Sequence, residues 1–238
     1  AENSKKISEV QRCLLPLNNC INSKAFEISE YTDFYSCKNH ALNASKIIRG
    51  DKAELSKNWY TLPVAYNGRA SSIVISDSDI RRPTGQIYEQ ANGIVKFEPT
   101  KKLDFELEMG TVIGGSLPIG ETLDFEEAKN LIFGYVLLND WSARDIQAWE
   151  YQPLGPFLSK SFGTSISPWI VTPEALEPFK TTPPERDFQL LPHFEDDKAF
   201  VFDIDLKVTL IEDGGTKTDI AETNAKELYY SPVQQLIH

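Results

Sequence analysis

The chain has 238 residues, 41% of them hydrophobic and 11% aromatic, which is enough apolar material to bury a sizeable core. Its formal net charge of -11 argues against a nucleic-acid surface, since phosphate backbones call for clustered Lys and Arg, and it disfavours anionic membranes. No apolar run approaches the roughly 20 residues needed to span a bilayer.

Residues 1–27 mix polar residues with one short apolar run, Leu14-Leu15-Pro16-Leu17, and show no sustained period; they read as a linker or the remnant of a preceding domain. Residues 28–238 read as one globular domain. The cysteines Cys13, Cys20 and Cys37 form an odd set without CxxC spacing, so neither a disulfide framework nor a thiolate zinc site is suggested, and a reducing compartment fits. Ser36 to Ile48 has helical composition, with Ser36 as candidate cap and no glycine or proline before Gly50. Ser71 to Ile75 is a short β-branched run, and Leu103 to Met109 alternates apolar and acidic residues without a break; both predict strands. Asp124, with Glu127 three positions on, predicts a capped helix that Gly134 closes before the apolar strand Tyr135 to Leu138, with Asn139-Asp140 at that strand's end. Ser142 is the candidate cap of a second helix over Ala143 to Glu150, stopped by Pro153 and Gly155-Pro156. Phe200, Phe202, Ile204, Leu206, Val208 and Leu210 alternate over the longest predicted strand, and Gly214-Gly215 supplies a turn. Ser231-Pro232 opens a last capped helix. Short helices among many strands predict a strand-dominated α+β fold.

Strand alternation puts Glu106 and Glu108 on one face, roughly 7 Å apart along the backbone, with Asp104 on the same face. On the pattern alone a solvated edge of an antiparallel sheet outweighs a metal site. The chemical alternative is a hard-cation site, because Mg²⁺ and Ca²⁺ take oxygen ligands and a strand pre-places them. Asp140 is a candidate third ligand by its place at a strand end, where capping the next helix is its competing role. Arg144, Gln147 and Tyr151 follow at spacings of three and four, giving a helical face that could hold a carboxylate-bearing substrate. The aromatic residues Trp141, Trp149 and Phe157 around that face imply partial burial. His40 has Asp33 and Tyr35 upstream and Arg49 downstream, whereas His193 and His238 lack such company. Lys160 to Thr164 lacks the glycine-rich approach of a phosphate loop, and neither a G-x-S-x-G elbow nor an H-E-x-x-H pair is present.

Longer strings carry more. Tyr31-Thr32-Asp33-Phe34-Tyr35-Ser36, Leu62 to Ser72, Asn139-Asp140-Trp141-Ser142-Ala143-Arg144-Asp145-Ile146-Gln147, Trp149 to Phe157 and Lys160-Ser161-Phe162-Gly163-Thr164 together resemble the fumarylacetoacetase family, from about Ser29 to the C-terminus. That resemblance implies the mixed β-roll of the family's catalytic domain. It also implies metal-dependent hydrolysis of 4-fumarylacetoacetate to fumarate and acetoacetate, in tyrosine and phenylalanine catabolism, by a cytosolic homodimer acting on a small diketo acid. It assigns Asp33, Glu106, Glu108 and Asp140 to the active-site cation, Mg²⁺ or Ca²⁺, and groups Asp140 with Lys160 and Thr164 for magnesium. It matches His40 to the general base and Tyr35, Arg49, Gln147 and Tyr151 to substrate contacts, while Arg144 and Lys160 would stabilise anionic intermediates.

The chain begins at Ala1 and its one methionine is Met109. Against the family pattern, most of an N-terminal SH3-like domain and the C-terminal part of the catalytic domain are expected to be missing, the latter with the glutamate that orients the histidine. Two other readings stay open: an inactive truncated isoform or fragment, and a related acylpyruvase or decarboxylase of the same superfamily.

Overall fold

The computed structural model describes residues 2–195 and 198–238. Helix α1 (Glu2–Cys13) precedes β1 (Thr32–Phe34), α2 (Lys38–Arg49), β2 (Ala65–Asn67) and β3 (Ile73–Ile75). A hairpin of β4 (Thr84–Glu89) and β5 (Ile94–Pro99) follows, then β6 (Leu103–Asp104), β7 (Leu107–Ile113), α3 (Phe125–Leu131), β8 (Ile132–Asp140) and β9 (Ser142–Ala143). Next come α4 (Arg144–Glu150), α5 (Leu158–Ser161), β10 (Thr164–Ile166), α6 (Pro173–Leu176), β11 (Lys180–Thr181) and β12 (Val201–Phe202). The hairpin of β13 (Asp205–Ile211) and β14 (Lys217–Asn224) leads to α7 (Pro232–Ile237). Short helices among many strands make this the expected strand-rich α+β fold.

The central sheet has the order β3-β10-β8-β7 and is mixed, with β3 and β10 parallel and the other pairs antiparallel. Strand β8 serves both of its faces, because successive side chains point to opposite sides and the register shift opposite Val112 and Ile113 changes the phase between Ile132 and Gly134. Ile132 and Tyr135 join Ala128, Leu176, Phe202, Leu206 and Val233 in one core, while Val136 and Leu138 join Ile73 and Ile166 in another. Burying each such aliphatic side chain contributes about 1.5–3 kcal/mol. A third cluster gathers Trp59, Phe194 and Tyr230; the Trp59 indole donates to the Tyr35 carbonyl at 2.6 Å and the Tyr230 hydroxyl to the Trp59 carbonyl at 2.9 Å. That cluster therefore anchors the chain between β1 and α2, just where His40 is displayed.

Capping signals fared well. Asp124 accepts from the Glu127 amide while Glu127 reaches back, and Ser231 and Gln234 do the same at α7. Several boundaries differ from expectation. Helix α2 begins after Cys37, because the chain at Ser36 and Cys37 pairs with residues 228 and 229 instead of turning into a helix. Gly134 does not end α3; it lies inside β8, where a β-carbon would collide with Ile170 and the Val171 carbonyl. Ser142 does not cap α4 but belongs to β9, and its hydroxyl donates to the Asp140 carbonyl. The strand predicted to run unbroken from Leu103 splits at residues 105 and 106, because β6 pairs with β9 and β7 with β8. The alternating run from Phe200 likewise splits: β12 pairs with β11 and β13 with β14, and the Asn224 amide bridges Asp203 and Asp205 across the break. The segment expected to be a featureless linker holds the exposed helix α1, whose sequence has no glycine or proline to interrupt it. Among the described residues, no helix is long and apolar enough to cross a membrane.

Candidate metal centre

Strand pairing brings four carboxylates together from distant parts of the chain. Asp33 comes from β1, Glu106 from the break before β7, Glu108 from β7 and Asp140 from the end of β8; one oxygen of each lies within 4.8 Å of the others. The Asp140 amide donates to the Glu106 carbonyl at 3.1 Å, which locks those two segments side by side. Thr164 stands opposite Asp140 in the β8–β10 register and its hydroxyl lies 3.4 Å from Oδ1.

Lys160 enters from α5, whose start is fixed by Glu150: that carboxylate accepts from the amides of Phe157 and Ser159 at 2.9 and 2.7 Å. Its ammonium Nζ sits 2.6 Å from Glu106 Oε2 and 2.7 Å from Asp140 Oδ2. Arg144 approaches from the opposite side, with NH1 2.8 Å from Glu106 Oε1 and Nε 2.7 Å from Asp104 Oδ2. Asp104, expected on the face of Glu106 and Glu108, is therefore a partner of Arg144 rather than a member of the quartet.

The electrostatics divide the four acids. Burial works against ionising Glu106, yet Lys160, His40 and Arg144 beside it hold its carboxyl at about 2. Burial pushes Asp33 and Glu108 well above the usual carboxylate range; for Glu108 the neighbouring acids add to the push, and for Asp33 Lys160 only partly offsets it. Asp140 is also raised, by burial ahead of the pull of Lys160. Lys160, conversely, stays charged: its surrounding acids outweigh its own burial. One lysine and one shared arginine thus supply too little positive charge to keep all four acids ionised in a desolvated place. In addition, the Tyr31 hydroxyl is buried with no hydrogen-bond partner among the described residues, and the four acids add to burial in pushing its pKa up. Four converging carboxylate oxygens with uncompensated charge fit a hard, oxygen-preferring divalent cation.

His40 Nε2 lies 3.6 Å from Glu106 Oε1, with 37% of its side chain open to solvent. Burial lowers its pKa, opposed by the attraction of Glu106, so the imidazole is neutral at neutral pH. Tyr35 packs edge-on against it at 5.6 Å between ring centres and donates to the Ala41 carbonyl at 2.8 Å. Gln147 joins through Arg144, whose NH1 donates to its side-chain oxygen at 3.0 Å. Both Arg144 and Gln147 are buried, as the aromatic residues around α4 implied, although Trp149 and Phe157 themselves are exposed. Two expected members stand apart. Arg49 is exposed and donates to Ser45 Oγ at 2.6 Å, and among the described residues no hydrogen bond joins the Tyr151 side chain to the cluster.

Sequence patterning missed Tyr66. It faces Asp33 directly in the β1–β2 register, and its hydroxyl donates to Asp140 Oδ2 at 3.4 Å. Beside it opens a pocket of about 360 Å³, walled by Tyr31, Tyr66, Arg69 and Phe157 and floored by Asp140 and Lys160. No local signal marks a tyrosine that acts across a strand pair.

Residues 30–238 match the family model described as fumarylacetoacetate (FAA) hydrolase, C-terminal. The chain belongs to that family. It is 50% identical over 212 residues to the fumarylacetoacetase of Arabidopsis thaliana, covering 89% of this chain and 50% of that protein. Against the fumarylacetoacetase of Bos taurus the identity is 48% over 212 residues, with 89% of this chain and 51% of the relative covered. This FAA hydrolase family chain thus spans about half the length of the curated relatives it matches. A solved structure titled "Crystal structure of Cg1458 with inhibitor" shares its fold with a TM-score of 0.56 at 16% identity, over 89% of this chain and 60% of the other.

Proposed function

We propose that the chain carries the catalytic site of a fumarylacetoacetase, which hydrolyses a carbon–carbon bond of 4-fumarylacetoacetate to give fumarate and acetoacetate in tyrosine and phenylalanine breakdown. The observation behind this reading is the quartet Asp33, Glu106, Glu108 and Asp140 with Lys160 set into it, in a chain about half identical to fumarylacetoacetases.

Asp33, Glu106, Glu108 and Asp140 would hold Mg²⁺ or Ca²⁺, with Lys160 and Thr164 completing the surroundings. Such a cation, when bound, polarises a diketone and stabilises the charge that develops on its oxygens. The chain's own groups do the rest. Neutral His40 takes a proton as water adds to the carbonyl carbon, and returns it to the carbon of acetoacetate released when the carbon–carbon bond breaks. Arg144 and Lys160 keep their charge throughout and face the developing anion. Tyr35, Arg49, Gln147 and Tyr151 contact the substrate in this reading, Arg49 as the partner of a carboxylate. The family resemblance extends the proposal to a cytosolic homodimer.

The test is turnover. The purified chain, supplied with Mg²⁺ or Ca²⁺, is expected to bleach the ultraviolet absorbance of 4-fumarylacetoacetate and to release fumarate and acetoacetate in equal amounts. His40→Ala is expected to lower the rate by at least 10²-fold, the usual contribution of a general base, with an unchanged melt. Full activity of His40→Ala, or faster turnover of acylpyruvates than of 4-fumarylacetoacetate, would sink the reading.

A further inference from the structure

We propose that Tyr66 is the positioning residue of the cation site: standing opposite Asp33 and donating its hydroxyl to Asp140, it holds those two carboxylates in the convergent arrangement that a divalent ion requires. The inference rests on the cation reading given above and goes beyond it, by naming the group that arranges the ligands.

The argument starts with register. Asp33 and Tyr66 are directly opposed in the antiparallel pair of β1 and β2, so their side chains share one face a few ångströms apart. From that place the phenol spans both acids: its ring stands opposite Asp33 and its hydroxyl donates to Asp140 Oδ2 at 3.4 Å. The same Oδ2 receives Lys160 at 2.7 Å, so both donors gather on one oxygen of Asp140. Among the described residues Oδ1 has only the Thr164 hydroxyl, at the same 3.4 Å as Tyr66 from Oδ2. Asp33 is served differently from Glu106: among the described residues no ion pair reaches it, whereas Glu106 has Lys160, Arg144 and His40. Tyr66, directly opposite in the strand pair, is thus the residue placed to orient it.

A phenol suits this task for an electrostatic reason. A second lysine or arginine here would neutralise the carboxylates and compete with a divalent ion for them. A neutral hydroxyl fixes their direction while adding no charge, and donors that orient metal ligands typically govern affinity by 10–100-fold. Its ring also lines the neighbouring pocket, beside Asp140.

Calorimetric titration of the full chain with Mg²⁺ and with Ca²⁺ tests the assignment. Tyr66→Phe keeps the ring and deletes the hydroxyl; its affinity is expected to fall about tenfold or more, while its melt in chelator matches the parent. Tyr88→Phe, which removes an exposed hydroxyl from the β4–β5 hairpin, should leave affinity unchanged. Where Tyr66→Phe also melts lower without metal, a double-mutant cycle with Asp33→Asn decides: losses in affinity smaller than the sum of the two support positioning, and additive losses overturn it. Equal affinity of parent and Tyr66→Phe would likewise overturn the assignment. A parent chain that binds neither ion rejects the cation reading itself, which is a separate result.

Discussion

Lys160 stands between two carboxylate oxygens at 2.6 and 2.7 Å, and it is buried with them. Removing one member of such a group strands the others, at a usual cost of about 3–5 kcal/mol. Lys160→Met is therefore expected to lower urea-unfolding stability by about that amount in chelator. The deficit should shrink when Ca²⁺ is added, because the ion takes over part of the neutralisation. Equal stability of the two proteins in chelator would refute the account. At this scale the sequence disclosed the acids better than their partners. Glu106 and Glu108 could be placed on one strand face by alternation, but that pattern also fitted a sheet edge, and Asp33, noticed beside His40, entered as a ligand only through resemblance. Tyr66 and the Asp104–Arg144 pair stayed hidden because each is made by a contact between segments far apart in the chain. Among the described residues, Arg49 and Tyr151 lie outside the hydrogen-bonded group for the converse reason: nearness in sequence to His40, or helical spacing from Arg144, says which residues are neighbours along the chain, not what their side chains meet.

Among the elements, α7 offers the sharpest case. Ser231 Oγ accepts from the Gln234 amide at 3.1 Å, and the Gln234 side chain accepts from the Ser231 amide at 2.9 Å and donates to the Phe194 carbonyl at 2.7 Å. One serine thus ties the helix start to the aromatic cluster that also anchors Tyr35. Ser231→Ala is expected to cost about 1–2 kcal/mol, seen as a lower denaturation midpoint at constant slope. Ser231→Thr should recover most of it, and an alanine variant as stable as the parent would contradict the reading. This cap, the Asp124–Glu127 box and the Gly214-Gly215 turn were legible because their determinants lie within four residues of one another. The breaks at 105–106 and 203–204 were not, since the alternation runs through both. What interrupts them is a change of partner strand, and a partner's position is not written in the local pattern.

For the molecule as a whole, the divalent ion is the lever. A ligand that binds only the folded chain stabilises it by about 2.7 kcal/mol at a hundred times its dissociation constant. Mg²⁺ or Ca²⁺ at that level should raise the midpoint of a thermal melt, whereas potassium chloride of equal ionic strength should not. Identical shifts from both salts would mean general screening of a chain with net charge -11 rather than binding. The strand-rich α+β class could be read from the sequence at this scale, because the balance of short helices and alternating runs is a bulk property. The cores on the two faces of β8 could not, since they depend on which strands flank it.

The spacing of the four acids has one more consequence. Asp33 and Asp140 are separated by about a hundred residues of chain, and bringing such distant points together in an unfolded polypeptide costs about 4–5 kcal/mol in loop-closure entropy. An unfolded chain therefore offers an ion only scattered carboxylates, one or two at a time. An ion held by all four acids would act as a reversible staple: it would recognise the completed chain path itself, and its occupancy would count the folded molecules in solution.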